Sequence, residues 1–140
     1  MEVKRGRAFI GRFEAETDLL EELNRFCRLE NIRLGTAQVI GAVTRGRLGY
    51  YDQVNQKYIY CVELEKKLEI ASCLANVSLK DGEIFVHAHV TFADLQGHCY
   101  AGHLMPGSVI FAAEYFIEEL TGGILQREID PRTGLMLWKG

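Results

Sequence analysis

The spacing of apolar residues along the chain changes twice, and each change marks a new kind of predicted element. In "RAFIGRF" apolar and polar residues alternate imperfectly, which predicts a strand. In "TDLLEELNRFCRLENI" Leu19, Leu20, Leu23, Phe26 and Cys27 recur at steps of three and four behind Thr17 or Asp18 as a cap. That spacing predicts the principal helix, ending near Asn31. From Gly35 onward the texture is that of Gly-punctuated strands: "GTAQVIGAV", "RGRLGYYD", "KYIYCVEL", "LEIASCLANVSL" and "GEIFVHAHVTF", the last two joined by the hairpin signal Asp81-Gly82.

One later stretch is ambiguous. In "VIFAAEYFIEEL" Val109, Ala112, Ala113, Phe116, Ile117 and Leu120 fall at helical spacing, with Gly122 and Gly123 placed to end a helix, and periodicity alone favours helix over strand. The carboxyl end reads as two short strands around a Pro-Arg-Thr-Gly turn. These elements make an α+β chain, mainly antiparallel sheet with one principal helix, and residues 1–140 are expected to form a single domain.

Composition changes this picture little. Apolar residues are 48% of the chain and charged residues 25%, ordinary for a globular domain. No run of about 18 apolar residues occurs, and "MEVKRGRAFIGRFE" has no continuous apolar core of a secretion signal, so no membrane contact and a cytoplasmic location are the expectation. A net charge of −3 gives no drive toward a phosphate backbone, and direct nucleic-acid binding is not expected. Cys27, Cys61, Cys73 and Cys99 have no CxxC spacing and are read as reduced, mostly buried thiols.

The candidate chemistry lies in "HAHVTFADLQGHCYAGHL", which holds all 4 histidines of the chain. Strand alternation puts Ile84, Val86, Ala88, Val90 and Phe92 on one face and Phe85, His87, His89 and Thr91 on the other. Two imidazoles at i and i+2 lie roughly 7 Å apart, near enough to share one metal ion. His98 and His103 differ by an odd number of residues, so a regular strand points them to opposite faces. Pairing His98 with His89 would force a two-residue turn at Ala93-Asp94, which lacks turn residues. Pairing His103 with His89 centres a looser hairpin on Gln96, with Asp94 and Gly97 to turn it. His103 is therefore the expected third ligand and His98 the bystander. Three neutral imidazoles leave an open position on Zn²⁺ for water, a substrate oxygen or a small anion. Asp94 is read first as a turn aspartate and second as an acceptor orienting a ligand imidazole.

"LEIASCLANVSLKDGEIFVHAHVTFAD" together with "GHCYAGHLMPGSVIFAAEYFIEEL" resembles the plant and prokaryote conserved (PPC) domain of the prokaryotic single-domain type. The likeness runs from about Arg7 to Glu119, and its most specific part is the H-x-H followed by G-H-L. The resemblance implies an α+β fold, a homotrimer, a long strand in "VIFAAEYFIEEL" in place of a helix, and zinc held by His87, His89 and His103. A more distant fold likeness to acetolactate decarboxylase implies the same metal cradle, with an aspartate where Asp94 stands. Ala101 replaces the first glycine of that enzyme's G-G-H, and its glutamate and arginine residues have no motif match here. No catalytic acid or base is assignable; Glu69 and Glu114 are the nearest guesses from strand logic, each read first as a surface or interfacial carboxylate.

The family's DNA-associated label is weighed separately. Arg5-Gly6-Arg7 and Arg45-Gly46-Arg47 are similar to the centre of an AT-hook but lack its prolines, and are read as strand or turn arginines. By order of elements, "KKLEIA" and not "GRFEAE" corresponds to the partner-binding element of plant members, with only Glu69 and Ile70 unchanged. A regulatory or protein-interaction module without catalysis is the alternative expectation.

Overall fold

The computed structural model describes residues 1–139; Gly140, last residue of the predicted carboxyl-terminal pair, lies outside them. Helix α1 (Leu19–Leu29) forms where a capping carboxylate meets an apolar stripe. Asp18 is the cap: its Oδ1 accepts the Glu21 N–H at 2.9 Å and its Oδ2 the Gly107 N–H at 2.5 Å. Leu19, Leu23 and Cys27 form the buried stripe. Asn24 ties the helix to the sheet by accepting the Val86 N–H at 3.1 Å.

The strands are β1 (Lys4–Phe13), β2 (Gly35–Asp52), β3 (Lys57–Leu64), β4 (Leu68–Lys80), β5 (Glu83–Ala93), β6 (Cys99–Leu104), β7 (Val109–Thr121), β8 (Gln126–Ile129) and β9 (Met136–Trp138). They join one sheet in the order β1-β7-β2-β6-β5-β4-β8-β9, with β3 on β2 and a further β2–β4 pairing. The pairings β2–β4, β4–β5, β5–β6 and β6–β2 close a ring. All are antiparallel except β4–β8. Asp81 and Gly82, both at positive φ, make the tight β4–β5 turn that their sequence signals.

Two stretches expected as separate strands, "GTAQVIGAV" and "RGRLGYYD", are one. Register shifts near Gly41, Val43 and Leu48 bend β2, so its first part pairs β7 and β4 and its second part β3 and β6. Gly41 has φ 140, and a Cβ there would run into the Ala112 carbonyl oxygen, so the close approach of β2 to β7 requires glycine.

"VIFAAEYFIEEL" is strand β7, as the resemblance implies and against the periodicity. A register shift places Ala42 opposite Ala112 but Val43 opposite Ile110. The bulged Phe111 puts an odd step between inward-facing Ile110 and Ala113, and that three-residue interval imitates a helix. The cysteine expectation needs correction: Cys27 and Cys73 are buried, but Cys61 and Cys99 are exposed, and all four are free thiols. Burial pushes Cys27 and Cys73 up to about 12, leaving them inert at neutral pH.

The core gathers Leu19, Leu23, Leu48, Phe92, Leu104 and Ile117, all inaccessible to solvent, between helix and sheet. No helix among the described residues is long and apolar enough to cross a membrane.

Candidate metal centre

Strand β5 has two chemically different faces. Val86, Ala88, Val90 and Phe92 are buried in the core, and His87 and His89 project from the opposite side. On β6, His103 lies directly opposite His89 in the ladder. The turn between them is built by Asp94, whose Oδ1 accepts the Gln96 and His98 N–H groups at 3.0 Å each, and by Gly97 at φ 80.

The structure thus brings His87, His89 and His103 together, with one ligand atom of each within 4.8 Å of the others. Their ring centroids are 5.1, 5.0 and 5.5 Å apart. His87 Nε2 and His103 Nδ1 are buried and have no hydrogen-bond partner among the described residues. Such orphaned nitrogens cost free energy unless something satisfies their lone pairs or protons. Neutral imidazole nitrogens so placed are the donor set that a zinc-class cation takes.

Burial favours the neutral form of His87 and His103. Burial, then the charges of His103, Arg127 and His89, pushes His87 down to about 4; burial, then His89 and Arg127, does the same to His103. Between the ordinary histidine value of 6.5 and about 4 the unfolded chain therefore binds more protons than the folded one. Stability of the metal-free protein is expected to fall as pH falls through that window. Thermal melts across it check this, and a His87→Gln, His103→Gln double variant is expected to show a shallower fall.

His98 stands outside the cluster, with its side chain 72% exposed and Nδ1 3.4 Å from Asp94 Oδ2. Asp94 Oδ2 also accepts from Lys66 Nζ at 2.8 Å and from the Tyr100 hydroxyl at 3.2 Å. Lys66 foremost holds the Asp94 carboxyl far below the usual carboxylate range. Asp94 is accordingly a turn residue and orients none of the clustered imidazoles.

The three histidines face a cleft of about 510 Å³. Tyr58 stacks on His103 with ring centroids 4.4 Å apart, and Tyr51 packs against Tyr58 at 5.1 Å. Arg127, only 7% exposed, closes the far side. Its Nε donates to Ser78 Oγ at 3.0 Å, its Nη2 to Asn76 Oδ1 at 2.6 Å and its Nη1 to the Met136 carbonyl at 3.0 Å. Glu69 and Glu114 do not line this cleft. Glu69 pairs with Ala93 at the far end of β5, and Glu114 lies on β7 between β1 and β2.

Sequence reasoning missed Tyr58, Lys57, Lys80 and Arg127, all of which line the cleft. Only Tyr58 and Lys57 had a local signal, their place at the start of a strand. Both Arg-Gly-Arg stretches lie inside strands. Arg5 pairs with Glu118 at 3.3 Å, Arg7 with Glu119 at 2.7 Å, Arg45 donates to the Gly107 carbonyl at 3.0 Å, and Arg47 pairs with Glu63 and Glu65. They are strand arginines with intramolecular partners.

Residues 1–121 match the family described as the Plants and Prokaryotes Conserved (PCC) domain. The chain belongs to this family. Among solved structures, this PCC-domain chain is similar to a metal-containing protein of Archaeoglobus fulgidus, with 37% identity and a TM-score of 0.92 over 99% of this chain and 97% of that one. It is similar also to a plant- and prokaryote-conserved protein of Pyrococcus horikoshii, with 35% identity and a TM-score of 0.92 over 99% and 95%. A putative DNA-binding protein of Bacteroides thetaiotaomicron, 22% identical with a TM-score of 0.86 over 98% and 96%, shares the fold. Two proteins of Synechococcus strains named bifunctional protein GlmU match this chain with 33% and 31% identity over 121 residues. That match covers 85% of this chain and 18% of each of theirs, so the chain spans about a fifth of their length.

Proposed function

We propose that this PCC-domain protein is a homotrimer in which each chain holds one zinc-class ion through His87, His89 and His103 and turns the ion's remaining position toward the cleft. The observation that carries the metal reading is the pair of buried, partnerless nitrogens, His87 Nε2 and His103 Nδ1, beside His89. The name of the 37% identical Archaeoglobus protein, metal-containing, supports it. A zinc ion supplies Lewis-acid polarisation to an oxygen group of a ligand. The protein's own contribution is to keep His87 and His103 neutral by burial, to fix the His103 ring against Tyr58, and to wall the cleft with aromatic side chains.

Metal analysis of purified protein, followed by zinc titration of the stripped form, tests this. One equivalent per chain is expected; protein that contains no transition metal and binds none on titration overturns it.

The trimer reading is supported by an uncovered apolar face. Ile10, Ile40 and Phe116, on the neighbouring strands β1, β2 and β7, are 85%, 58% and 42% exposed. Burying such a face is favourable by about 25 cal/mol per Å². The same face favours the second reading, a module acting through protein contacts with any metal merely structural. Sedimentation of the parent protein tests the trimer, and the two readings separate on the His87→Ala variant, which under the second keeps its self-assembly and partner contacts and loses nothing but zinc. Direct duplex binding is not part of either reading, because the Arg-Gly-Arg side chains are engaged within the chain.

A further inference from the structure

The cleft in front of the histidines has an unbalanced charge. Lys57, Lys80 and Arg127 line it, and no Asp or Glu does among the described residues. Arg127 is nearly buried, yet its three hydrogen bonds go to a hydroxyl, an amide oxygen and a backbone carbonyl, all neutral. Lys80 Nζ lies over the Phe85 ring, 5.3 Å from its centroid. Neither Lys57 nor Lys80 is within ion-pairing distance of a carboxylate among the described residues. Elsewhere Arg5 and Arg7 of β1, Lys66 and Lys139 do have acidic partners. Three imidazole ligands, carrying no negative charge, would leave a divalent ion's charge wholly uncompensated, adding to the positive field of the cleft.

The remaining lining is carbon-rich: Phe85, Leu135, Met136, Leu137 and the ring faces of Tyr51 and Tyr58. A bare inorganic anion would leave this surface without a counterpart. A neutral ligand would leave the cations without one. We infer that the cleft takes a small organic carboxylate, its anionic group between the histidine cluster and Lys57, Lys80 and Arg127, its apolar body against Phe85, Leu135 and Leu137. This rests on the metal reading above.

The test uses zinc-loaded protein and calorimetric titration with benzoate, with its neutral isostere benzamide, and with inorganic phosphate. Benzoate is expected to bind at least about tenfold more tightly than either. A Lys57→Met, Lys80→Met double variant is expected to lose about tenfold in benzoate affinity with zinc content and melting temperature unchanged. In cobalt-substituted protein, benzoate and not benzamide is expected to shift the visible absorption bands. Zinc bound at one equivalent but with benzoate no better than benzamide or phosphate overturns the carboxylate inference and leaves the metal reading intact. Benzoate binding that ignores both lysines, or leaves the cobalt bands unmoved, overturns it equally. Failure to load zinc at all fails the metal reading and this inference with it.

Discussion

Replacing His103 with alanine is expected to abolish stoichiometric zinc binding while leaving the chain folded. Structural zinc sites gather roughly 10–16 kcal/mol from about four ligands, so one imidazole accounts for about 3 kcal/mol, or more than about 100-fold in affinity. Removing His103 also removes an orphaned buried nitrogen, and the fold itself loses little beyond the stacking of Tyr58. His98→Ala is the matched control, because His98 is exposed and engaged only with Asp94. Competition with a chromophoric chelator measures both variants. Equal zinc affinity for His103→Ala and the parent would remove His103 from the site.

The second large effect falls on β5, on the face opposite its two histidines. Phe92→Ala is expected to cost about 3–5 kcal/mol of unfolding free energy. Phe92 is inaccessible to solvent, and Gly46 of β2 packs on its ring so closely that a Cβ there would stand 3.0 Å away. Gly46 lines that side of the ring and has no side chain of its own to relax into the vacated space. Urea unfolding measures the cost, and His89→Ala, whose side chain projects from the opposite face, is expected to cost far less in the metal-free protein.

These two residues lie three positions apart, and their opposite fates were legible from alternation alone. So was the pairing of His89 with His103, because Asp94 and Gly97 are residues that a loose hairpin uses and Ala93-Asp94 is not a tight turn. Such inferences hold where partners are close in sequence and the turn between them advertises itself. The long strand β7 is different. Its bulge at Phe111 depends on where β2 presses against it, and a bulge writes a three-residue interval that local pattern assigns to a helix. The joining of two expected strands into β2 has the same origin, since register shifts bend the strand without a turn residue to interrupt it.

Arg127 and Lys80 mark the limit of local pattern. Lys80 ends β4, and Arg127 reaches the cleft only because β8 lies parallel to β4 after a long excursion through β5, β6 and β7. No periodicity near residue 127 encodes that neighbour. The histidine cradle was readable, and the charge that surrounds it was not.

The attachment of that far wall has a kinetic consequence. The β8–β9 hairpin joins the sheet through two ladder pairs, Leu79 with Gln126 and Lys80 with Arg127, together with the Arg127 side chain bonded to Ser78 and Asn76 and the Tyr51 hydroxyl donating to the Thr133 carbonyl at 2.6 Å. β2, by contrast, is paired along its length with β7, β4, β3 and β6. In amide hydrogen exchange the hairpin is therefore expected to exchange faster than β2, whose amides are expected to be released only by more complete unfolding. Opening of that hairpin would carry Arg127, Leu135 and Leu137 away from the histidines, so the cleft wall is expected to exchange ahead of the histidine frame behind it.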